Sequence, residues 1–221
     1  ITTVEDPVEY RLGGINQIQV KPEIGLDFGM SLRAILRQDP DIILIGEIRD
    51  RETVEIAIKA SLTGHLVLST FHTNDAPSAI SRLAYMGIER YLLASTLNMI
   101  VAQRLVRRIC ENCKEPVEPN QEVLGRLRID RGKTAGATFH RGKGCPICGN
   151  TGYHGRLPIF EFLVVDEDIG ERIIAGQSEA QIKEAVRSKG YGDLVDSGVQ
   201  AVLHGLTTAD EVIRVASMGE G

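Results

Sequence analysis

The sequence predicts an α/β protein in which a parallel-sheet core is followed by a cysteine-bearing insert and a helical tail. Over residues 1–109, short apolar runs typical of buried strands alternate with segments of helical periodicity. The composition changes after Cys110, since residues 110–155 are rich in Cys, Gly, Lys, Arg and Pro and have weak periodicity. A strand and then helical patterns occupy residues 156–221. We therefore expect three parts, divided at 109/110 and 155/156.

The core segments are bounded by recognisable start and stop signals. Asp39-Pro40 ends a helix, because the residue before proline disfavours the α region, and Gly64 and Gly87 each close another. The expected strands are residues 1–4, 15–20, 42–45 and 66–71. The expected helices are residues 28–37, 51–62, 75–86 and 89–109.

The C-terminal part begins with a strand, expected at residues 157–164, and is otherwise helical. Two of its helices have capping-box signatures, Ser178-x-x-Gln181 and Thr208-x-x-Glu211. The expected helices are residues 168–175, 178–189, 193–204 and 208–217.

Composition excludes several classes of protein. The chain has 221 residues, of which 43% are hydrophobic, and its longest apolar runs are too short to span a bilayer. No signal peptide is visible. The net charge of −5 does not suggest a nucleic-acid footprint, which is basic. Because Ile1 is not an initiator Met, we expect that residue 1 is an internal position of a longer polypeptide.

All four cysteines occur in two Cys-x-x-Cys pairs, Cys110/Cys113 and Cys145/Cys148. This spacing lets two thiolates of each pair reach one tetrahedral ion, so we predict a structural Zn²⁺ site. Disulfides and a redox-active Cys-x-x-Cys remain alternatives. A site of four thiolates has no open position for water, so its expected role is in folding and not in catalysis.

Acidic residues follow two of the predicted strands. Glu47 comes directly after the apolar run Ile42–Ile45, and Glu5, Asp6 and Glu9 follow the first strand. If these strands are neighbours, the carboxylates meet at the carboxyl edge of the sheet, where ligands bind in open α/β folds. Such a group of carboxylates can hold Mg²⁺ and polarise a water. The alternative is that Glu47 is a surface residue or a helix-capping partner.

Two histidines flank the strand at residues 66–71. His65 precedes this strand and His72 follows it, so His72 is expected level with the acidic residues. A histidine there can hydrogen bond a γ-phosphate or add positive charge near it. The alternative is a structural histidine.

A phosphate-binding loop of the form G-x-x-x-x-G-K-[S/T] is not found after any apolar strand. The nearest match, Gly132-Lys133-Thr134, has Leu127 at the first glycine position and lies in the insert. We reject it and expect that the phosphate-binding half of any ATPase site, the Walker A motif, lies upstream of residue 1.

Four motifs in this order resemble those of a known family. Residues 1–9 resemble the Asp box of secretion ATPases, residues 36–50 their Walker B motif and residues 63–76 their His box. The segment 102–107, followed by the two cysteine pairs, is similar to the type II secretion and type IV pilus-assembly ATPases, the GspE/PilB group. Pilus-retraction ATPases lack the four-cysteine insert.

The resemblance implies a RecA-like core, present here in part, and a homohexamer that uses ATP and Mg²⁺. Glu47 would be the Walker B glutamate, and Glu9, with Glu5 and Asp6 in support, would position the magnesium and the attacking water. His65 and His72 would couple the γ-phosphate to subunit conformation. The implied partners are inner-membrane platform and cytoplasmic adaptor proteins, at a cytoplasmic location peripheral to the inner membrane.

Two other functions stay open. The chain could be a noncatalytic zinc-bearing docking module, which a small parent protein without a phosphate-binding loop would favour. It could also be a RecA-like nucleic-acid motor, although the acidic net charge disfavours this and no nucleic acid is expected. The observation in favour of a nucleic-acid motor is the group of basic residues in the insert, which are Arg126, Arg128, Arg131, Lys133, Arg141 and Lys143.

Overall fold

The computed structural model describes residues 1–118, 120–129 and 138–216. The chain divides into two compact units. The first unit contains Ile1–Thr73, Pro77–Asn98 and Val165–Ile182. The second contains Asn74–Ala76, Met99–Val164 and, as far as it is described, Lys183–Gly221.

The secondary structure alternates between strands and helices in the first half of the chain. The strands are β1 (Thr2–Glu5), β2 (Asn16–Gln19), β3 (Ile42–Ile45), β4 (Leu66–Ser69), β5 (Met99–Ile109), β6 (Lys114–Pro116), β7 (His140–Gly142) and β8 (Tyr153–Val164). The α-helices are α1 (Phe28–Ile35), α2 (Arg51–Leu62), α3 (Ala76–Tyr85), α4 (Arg90–Thr96), α5 (Gln121–Arg126), α6 (Glu167–Ile174), α7 (Glu179–Ser188), α8 (Leu194–Leu203) and α9 (Ala209–Ala216).

The first unit is built on a parallel sheet with the strand order β2-β1-β3-β4. Thr2 of β1 lies opposite Ile43 of β3, and Ile42 of β3 lies opposite Leu66 of β4. The predicted α/β class and parallel sheet are therefore confirmed, and β1 and β3 are neighbours, which is the condition under which their acidic residues meet. Their carboxyl ends share one edge of the sheet.

Helices α1 and α2 cover the apolar positions of this sheet. Each begins at an aspartate whose side chain accepts a backbone hydrogen bond, from Met30 to Asp27 (2.7 Å) and from Thr53 to Asp50 (2.8 Å). These caps satisfy amide groups that have no partner inside the helix. The buried residues of the resulting core are Val4, Val20, Leu32, Ile35, Ile43, Ile45, Ile56, Ala57 and Ala60.

The prediction of one long helix over residues 89–109 was wrong. Helix α4 ends at Thr96, and the strand β5 begins at Met99. The buried residues of β5 are Ala102, Val106 and Ile109, a spacing of four and three that imitates a helical face. The spacing of four is ordinary two-residue alternation in which the intervening Arg104 is only half-buried. The spacing of three arises because a register irregularity between Arg107 and Ile109 shifts this alternation by one position.

The second unit is organised around the antiparallel pair β5 and β8. Helices α8 and α9 pack beside this pair. The carboxylate of Glu211 on α9 ties the two layers together, since it accepts hydrogen bonds from the backbone N–H (3.0 Å) and guanidinium (2.7 Å) of Arg107. A further core cluster comprises Leu124, Leu127, Ile129, Phe139, Val199, Val202 and Val212.

The C-terminal helices occur as predicted, and one of the two expected capping boxes is complete. The Ser178 N–H donates to Gln181 Oε1 (2.9 Å), and the Gln181 N–H donates back to Ser178 Oγ (3.4 Å). At α9 the Thr208 hydroxyl accepts from the Glu211 N–H (3.2 Å), but the Glu211 carboxylate turns to Arg107 instead of closing the box.

The predicted strand at 157–164 begins earlier, at Tyr153, so β8 crosses the expected boundary at 155/156. The three-part division itself stays a prediction. The rejected match Gly132-Lys133-Thr134 lies outside the described residues, as does Arg131. Among the described residues, no helix has both the length and the apolar character that crossing a bilayer would require.

Candidate functional site

The carboxyl ends of β1, β3 and β4 are held side by side at one edge of the first unit's sheet. The N–H of Gly46, which follows β3, donates to the carbonyl of Val4 in β1 (2.7 Å). The Thr70 hydroxyl, beyond β4, donates to the carbonyl of Gly46 (2.5 Å). These bonds continue the sheet past the strands, so the residues that follow them are fixed relative to one another.

Gly46 allows the close approach of the first two strand ends. A Cβ atom at this position would lie 3.2 Å from both the Glu5 Cα and the Val4 carbonyl oxygen, tighter than ordinary packing against backbone that has little room to move. The glycine before Glu47 therefore brings the end of β3 directly against the end of β1.

Glu47, which follows β3, is a partly buried carboxylate at this edge. Its side chain is 14% exposed, and it pairs with the Arg49 guanidinium and with His72, whose Nε2 lies 3.4 Å from Glu47 Oε2. The hydrogen bond from Arg49 is the main cause that lowers the pKa of Glu47, and His72 also lowers it, against the opposing effect of burial. Glu47 is therefore ionised at neutral pH and able to accept a proton or orient a water.

The backbone of His72 is held by a hydrogen bond, whereas its imidazole ring is exposed to solvent. Its carbonyl accepts a hydrogen bond from Arg82 Nη1 (2.7 Å), and the same guanidinium stacks over the ring of Phe71 at 5.2 Å. Its own side chain is 84% exposed. This combination places an imidazole beside Glu47 with one face free to meet a ligand.

Glu5, Asp6 and Glu9 follow β1, and the structure holds them in different ways. Glu5 Oε1 accepts hydrogen bonds from the Thr3 hydroxyl (2.5 Å) and from Gln17 Nε2 (3.0 Å). Asp6 is exposed, and its charge adds to that of Glu47, the main cause, in raising the pKa of Arg49.

Glu9 is exposed in a segment that lies against β2. Gln17 of β2 donates to the carbonyl of Tyr10 (3.0 Å) and accepts from the N–H of Leu12 (2.8 Å). Because β2 lies on the side of β1 away from β3, this anchoring is on the other side of β1 from Glu47.

His65 lies at the opposite edge of the sheet. Its Nδ1 is 2.7 Å from the carbonyl oxygen of Pro40, which precedes β3, and the whole of β4 separates it from His72. The structure thus brings Glu47 and His72 together and does not bring His65 to them.

Sequence reasoning did not single out Arg49, which forms the ion pair with Glu47. The available signal was local, since Arg49 follows Glu47 by two residues at the end of an apolar strand. A charged residue of opposite sign at that spacing is common on protein surfaces, so the spacing alone does not indicate a functional ion pair.

The four cysteine sulfurs form one cluster in the second unit. All four lie within 4.8 Å of one another, and none forms a disulfide. The Cys110–Cys145, Cys113–Cys148 and Cys145–Cys148 sulfur pairs are 3.8, 3.9 and 3.7 Å apart. A zinc ion with four bonds of about 2.3 Å separates its sulfurs by about 3.8 Å. The donor set therefore has the chemistry and the size of a tetrathiolate zinc site.

Backbone amides point at these sulfurs. Gly144 N–H donates to Cys113 Sγ (3.3 Å), while Cys145 N–H (3.2 Å) and Gly152 N–H (3.3 Å) donate to Cys148 Sγ. Burial raises the pKa of Cys113 to about 12; burial also acts to raise that of Cys148, but the two amides lower it to about 6. The cluster thus favours thiolate at Cys148 and thiol at Cys113, and a bound dication would displace the protons of the thiols that ligate it.

Close backbone contact brings the two cysteine loops together. A Cβ at Gly142 would lie 1.9 Å from the Gly152 carbonyl oxygen, so no other residue fits there without movement of the backbone. The Cys110 N–H donates to the same carbonyl (3.0 Å). Glycine at this crossing therefore sets the distance between the cysteine pairs.

The fold and this edge define an α/β protein with a parallel sheet that bears carboxylates at its carboxyl edge. The chain belongs to the type II/IV secretion system protein family, whose family model matches residues 1–214.

The curated relatives include proteins of type IV pilus assembly and proteins of type II secretion. The chain is 53% identical over 211 residues to the type IV pilus assembly ATPase PilB of Thermus thermophilus, covering 96% of this chain and 24% of the relative. It is 49% identical over 215 residues to the type II secretion system protein E of Pseudomonas aeruginosa, covering 97% and 42%. The chain thus spans less than half the length of these relatives.

Solved structures show the same fold. The pilus retraction motor PilT with bound ADP is 27% identical, with a TM-score of 0.70 over 97% of this chain and 52% of that one. The ATPase DotB of Legionella pneumophila, 19% identical with a TM-score of 0.65, covers 98% and 51% and supports the fold alone.

Proposed function

We propose that this chain is the C-terminal portion of a motor ATPase subunit that drives assembly of a pilus or pseudopilus and the secretion of protein. The observation that carries the proposal is the pairing of ionised Glu47 with His72 at the carboxyl edge of the parallel sheet. The names of the relatives support the same activity. In this proposal the sheet is the partial core of a RecA-like domain.

Glu47 acts as the group that polarises the attacking water. It is ionised, largely enclosed and fixed at the end of β3, so its lone pairs are oriented before a substrate arrives. Arg49 competes for the same carboxylate, and its release is expected to accompany productive binding. The expected ligands are ATP as substrate and Mg²⁺ as its counter-ion, with Glu9 near the metal and Glu5 and Asp6 in support.

His72 reports the presence of the γ-phosphate. Its exposed ring lies beside Glu47, and its carbonyl accepts a hydrogen bond from Arg82 of α3. A displacement of the ring by the γ-phosphate would therefore be transmitted to α3 through this hydrogen bond. For His65 a direct role in this coupling stays a prediction. Its contact with Pro40 favours an indirect role, in fixing the start of β4.

The four cysteines would hold a structural Zn²⁺, which supplies a crosslink between the two loops and no open position for chemistry. The sulfur separations and the amide donors to Cys113 and Cys148 support this assignment. The alternatives of a disulfide or redox pair lose support because all four sulfurs converge within 4.8 Å of one another, as one shared ion requires.

The working assembly is a homohexamer on the cytoplasmic face of the inner membrane, in contact with platform and adaptor proteins of the secretion or pilus machine. Its support is the family membership, since the relatives are named as parts of these machines. Because residues 1–221 contain no phosphate-binding loop motif after an apolar strand, these residues alone are expected to bind ATP weakly.

A second candidate function is a noncatalytic docking module, which the compact cysteine cluster favours. Magnesium-dependent ATP hydrolysis by the full-length protein separates the two. The motor proposal predicts turnover that chelation of magnesium abolishes. A full-length protein that binds its secretion or pilus partners but does not hydrolyse ATP, alone or with them, would favour the docking module.

A further inference from the structure

A buried carboxyl group with an unpartnered oxygen lies in the second unit. Glu161 on β8 is 3% exposed and belongs to the same inward row as Ile159 and Leu163, which are 1% and 0% exposed. Its Oε2 has no hydrogen-bond partner among the described residues. Burying an ionisable side chain among apolar residues costs free energy unless the group is paired or hydrogen-bonded. The groups that surround Glu161 therefore decide its protonation state.

The groups that face Glu161 come from three other elements. They are the backbone N–H of Ala76 at the start of α3, the neighbouring Asp75, Lys183 on α7, and Asp193 at the start of α8. Asp193 is already paired, since its Oδ2 lies 3.0 Å from Arg128 and 3.8 Å from Arg187. Lys183 Nζ lies 3.6 Å from Asp75 Oδ2. Lys183 is therefore the cation that Asp75 and Glu161 share.

Three consecutive residues, Asn74–Ala76, are anchored within this unit. Arg104 Nη2 donates to the carbonyl of Asn74 (2.9 Å), Lys183 pairs with Asp75, and the N–H of Ala76 hydrogen bonds to Glu161. This segment follows His72 by one residue, Thr73, and opens α3. The backbone of His72 therefore leads, through Thr73, directly into an anchored segment.

We propose that Glu161 is a positioning residue for His72, and that the protonation state of its carboxyl group sets the geometry of the segment 74–76. The inference rests on the proposed role of His72 in ATP turnover. The ionised carboxylate accepts the Ala76 N–H strongly and draws Lys183 away from Asp75. The protonated carboxyl group is a weaker acceptor and leaves Lys183 with Asp75.

Burial of the Glu161 carboxyl group determines the pH range in which it gains or loses its proton. It is the main cause that raises the pKa of Glu161 to about 7, while Lys183 opposes the rise. Proton uptake by this carboxyl group therefore falls near neutral pH. Removal of the Lys183 charge would move the transition to higher pH. A purely structural role for Glu161 predicts no such transition in the segment 74–76.

The first test is amide hydrogen exchange of the full-length protein between pH 6 and 8, corrected for intrinsic exchange, in the peptide that contains Ala76. In the wild type we expect protection to rise roughly three- to tenfold across about pH 7. Glu161→Gln should abolish this pH dependence. Glu184→Gln, an exposed change on the same helix as Lys183, should keep it. Equal, pH-independent protection in the wild type and Glu161→Gln would overturn the proposal.

The second test is the pH profile of ATP turnover. Glu161→Gln should remove an inflection near pH 7, Lys183→Met should move it upward, and neither should change turnover once His72 is replaced by Ala. An unchanged inflection in Lys183→Met would contradict the assigned role of the shared lysine. The exchange measurement needs no activity, so it tests the positioning even if the proposed ATPase function fails.

Discussion

The buried carboxylate of Glu211 offers a quantitative test of how the second unit is held together. Its side chain is fully buried, and it accepts hydrogen bonds from Arg107 and Arg214, each of which is about half exposed. Replacing it by Gln keeps the shape and removes the charge. The two guanidinium groups would then face a neutral amide, and the backbone N–H of Arg107 would lose a charged acceptor.

The expected loss of stability follows from the pKa of Glu211. Burial alone would raise the pKa of Glu211, but the hydrogen bonds from Arg214 and Arg107 lower it from 4.5 to about 2. That difference corresponds to about 3 kcal/mol of stabilisation of the folded state. Because the folded-state pKa is below the ordinary one, the stabilisation is complete above pH 4.5 and is lost as the pH falls from there towards 2.

Hydrogen exchange of the β5 amides measures this effect in the full-length protein. At pH 7 we expect Glu211→Gln to reduce protection roughly 100-fold, as about 3 kcal/mol requires, and Glu184→Gln to leave it unchanged. The difference between wild type and Glu211→Gln should shrink below pH 4.5, because there the carboxyl group of the unfolded state takes up a proton, while that of the folded state stays ionised until about pH 2. A difference that stays constant down to pH 3 would refute the electrostatic explanation.

Three further predictions concern metal and chemistry. The protein should contain one zinc per chain, and Cys113→Ser should release it and loosen residues 110–155 while the first unit stays folded; freshly purified, reduced protein without zinc by elemental analysis would contradict this. Glu9→Gln should lower ATP turnover by roughly 10²-fold or more if its carboxylate serves the same magnesium as Glu47, and turnover equal to wild type would exclude that role. His72→Ala should reduce transport more than hydrolysis, as compared in matched assays, because its proposed role is to transmit nucleotide state; an equal loss of both would contradict this.

The carboxyl-edge site could be predicted because it depends on local pattern. An apolar run ending in an acidic residue fixes a strand and the position of its carboxylate, and parallel pairing then sets which strand ends meet. Glu47 and His72 follow from this reasoning. The cysteine cluster follows likewise, since Cys-x-x-Cys spacing determines which sulfurs can share an ion.

Other features depend on contacts that no local pattern contains. The helical prediction for residues 99–109 failed because an irregularity in the β5–β8 pairing gives the strand a helical spacing of buried residues. His65 and His72 were predicted at the two ends of one strand and lie there, but the contact of His65 with the carbonyl oxygen of Pro40 joins residues 25 positions apart, and no local pattern indicates it. The burial of Glu161 depends on helices that are distant in the sequence.

ATP turnover by the full-length protein carrying Glu47→Gln, with nucleotide binding measured in parallel, tests the central claim most directly. A group that polarises water acts mainly in the transition state, so binding should persist while the rate falls ~10²–10⁴-fold, or roughly 3–5 kcal/mol. Glu23→Gln, an exposed change elsewhere in the first unit, serves as the matched control and should keep the wild-type rate. Turnover by Glu47→Gln within about threefold of wild type, at equal nucleotide occupancy, would contradict the assignment of this edge as the hydrolytic site.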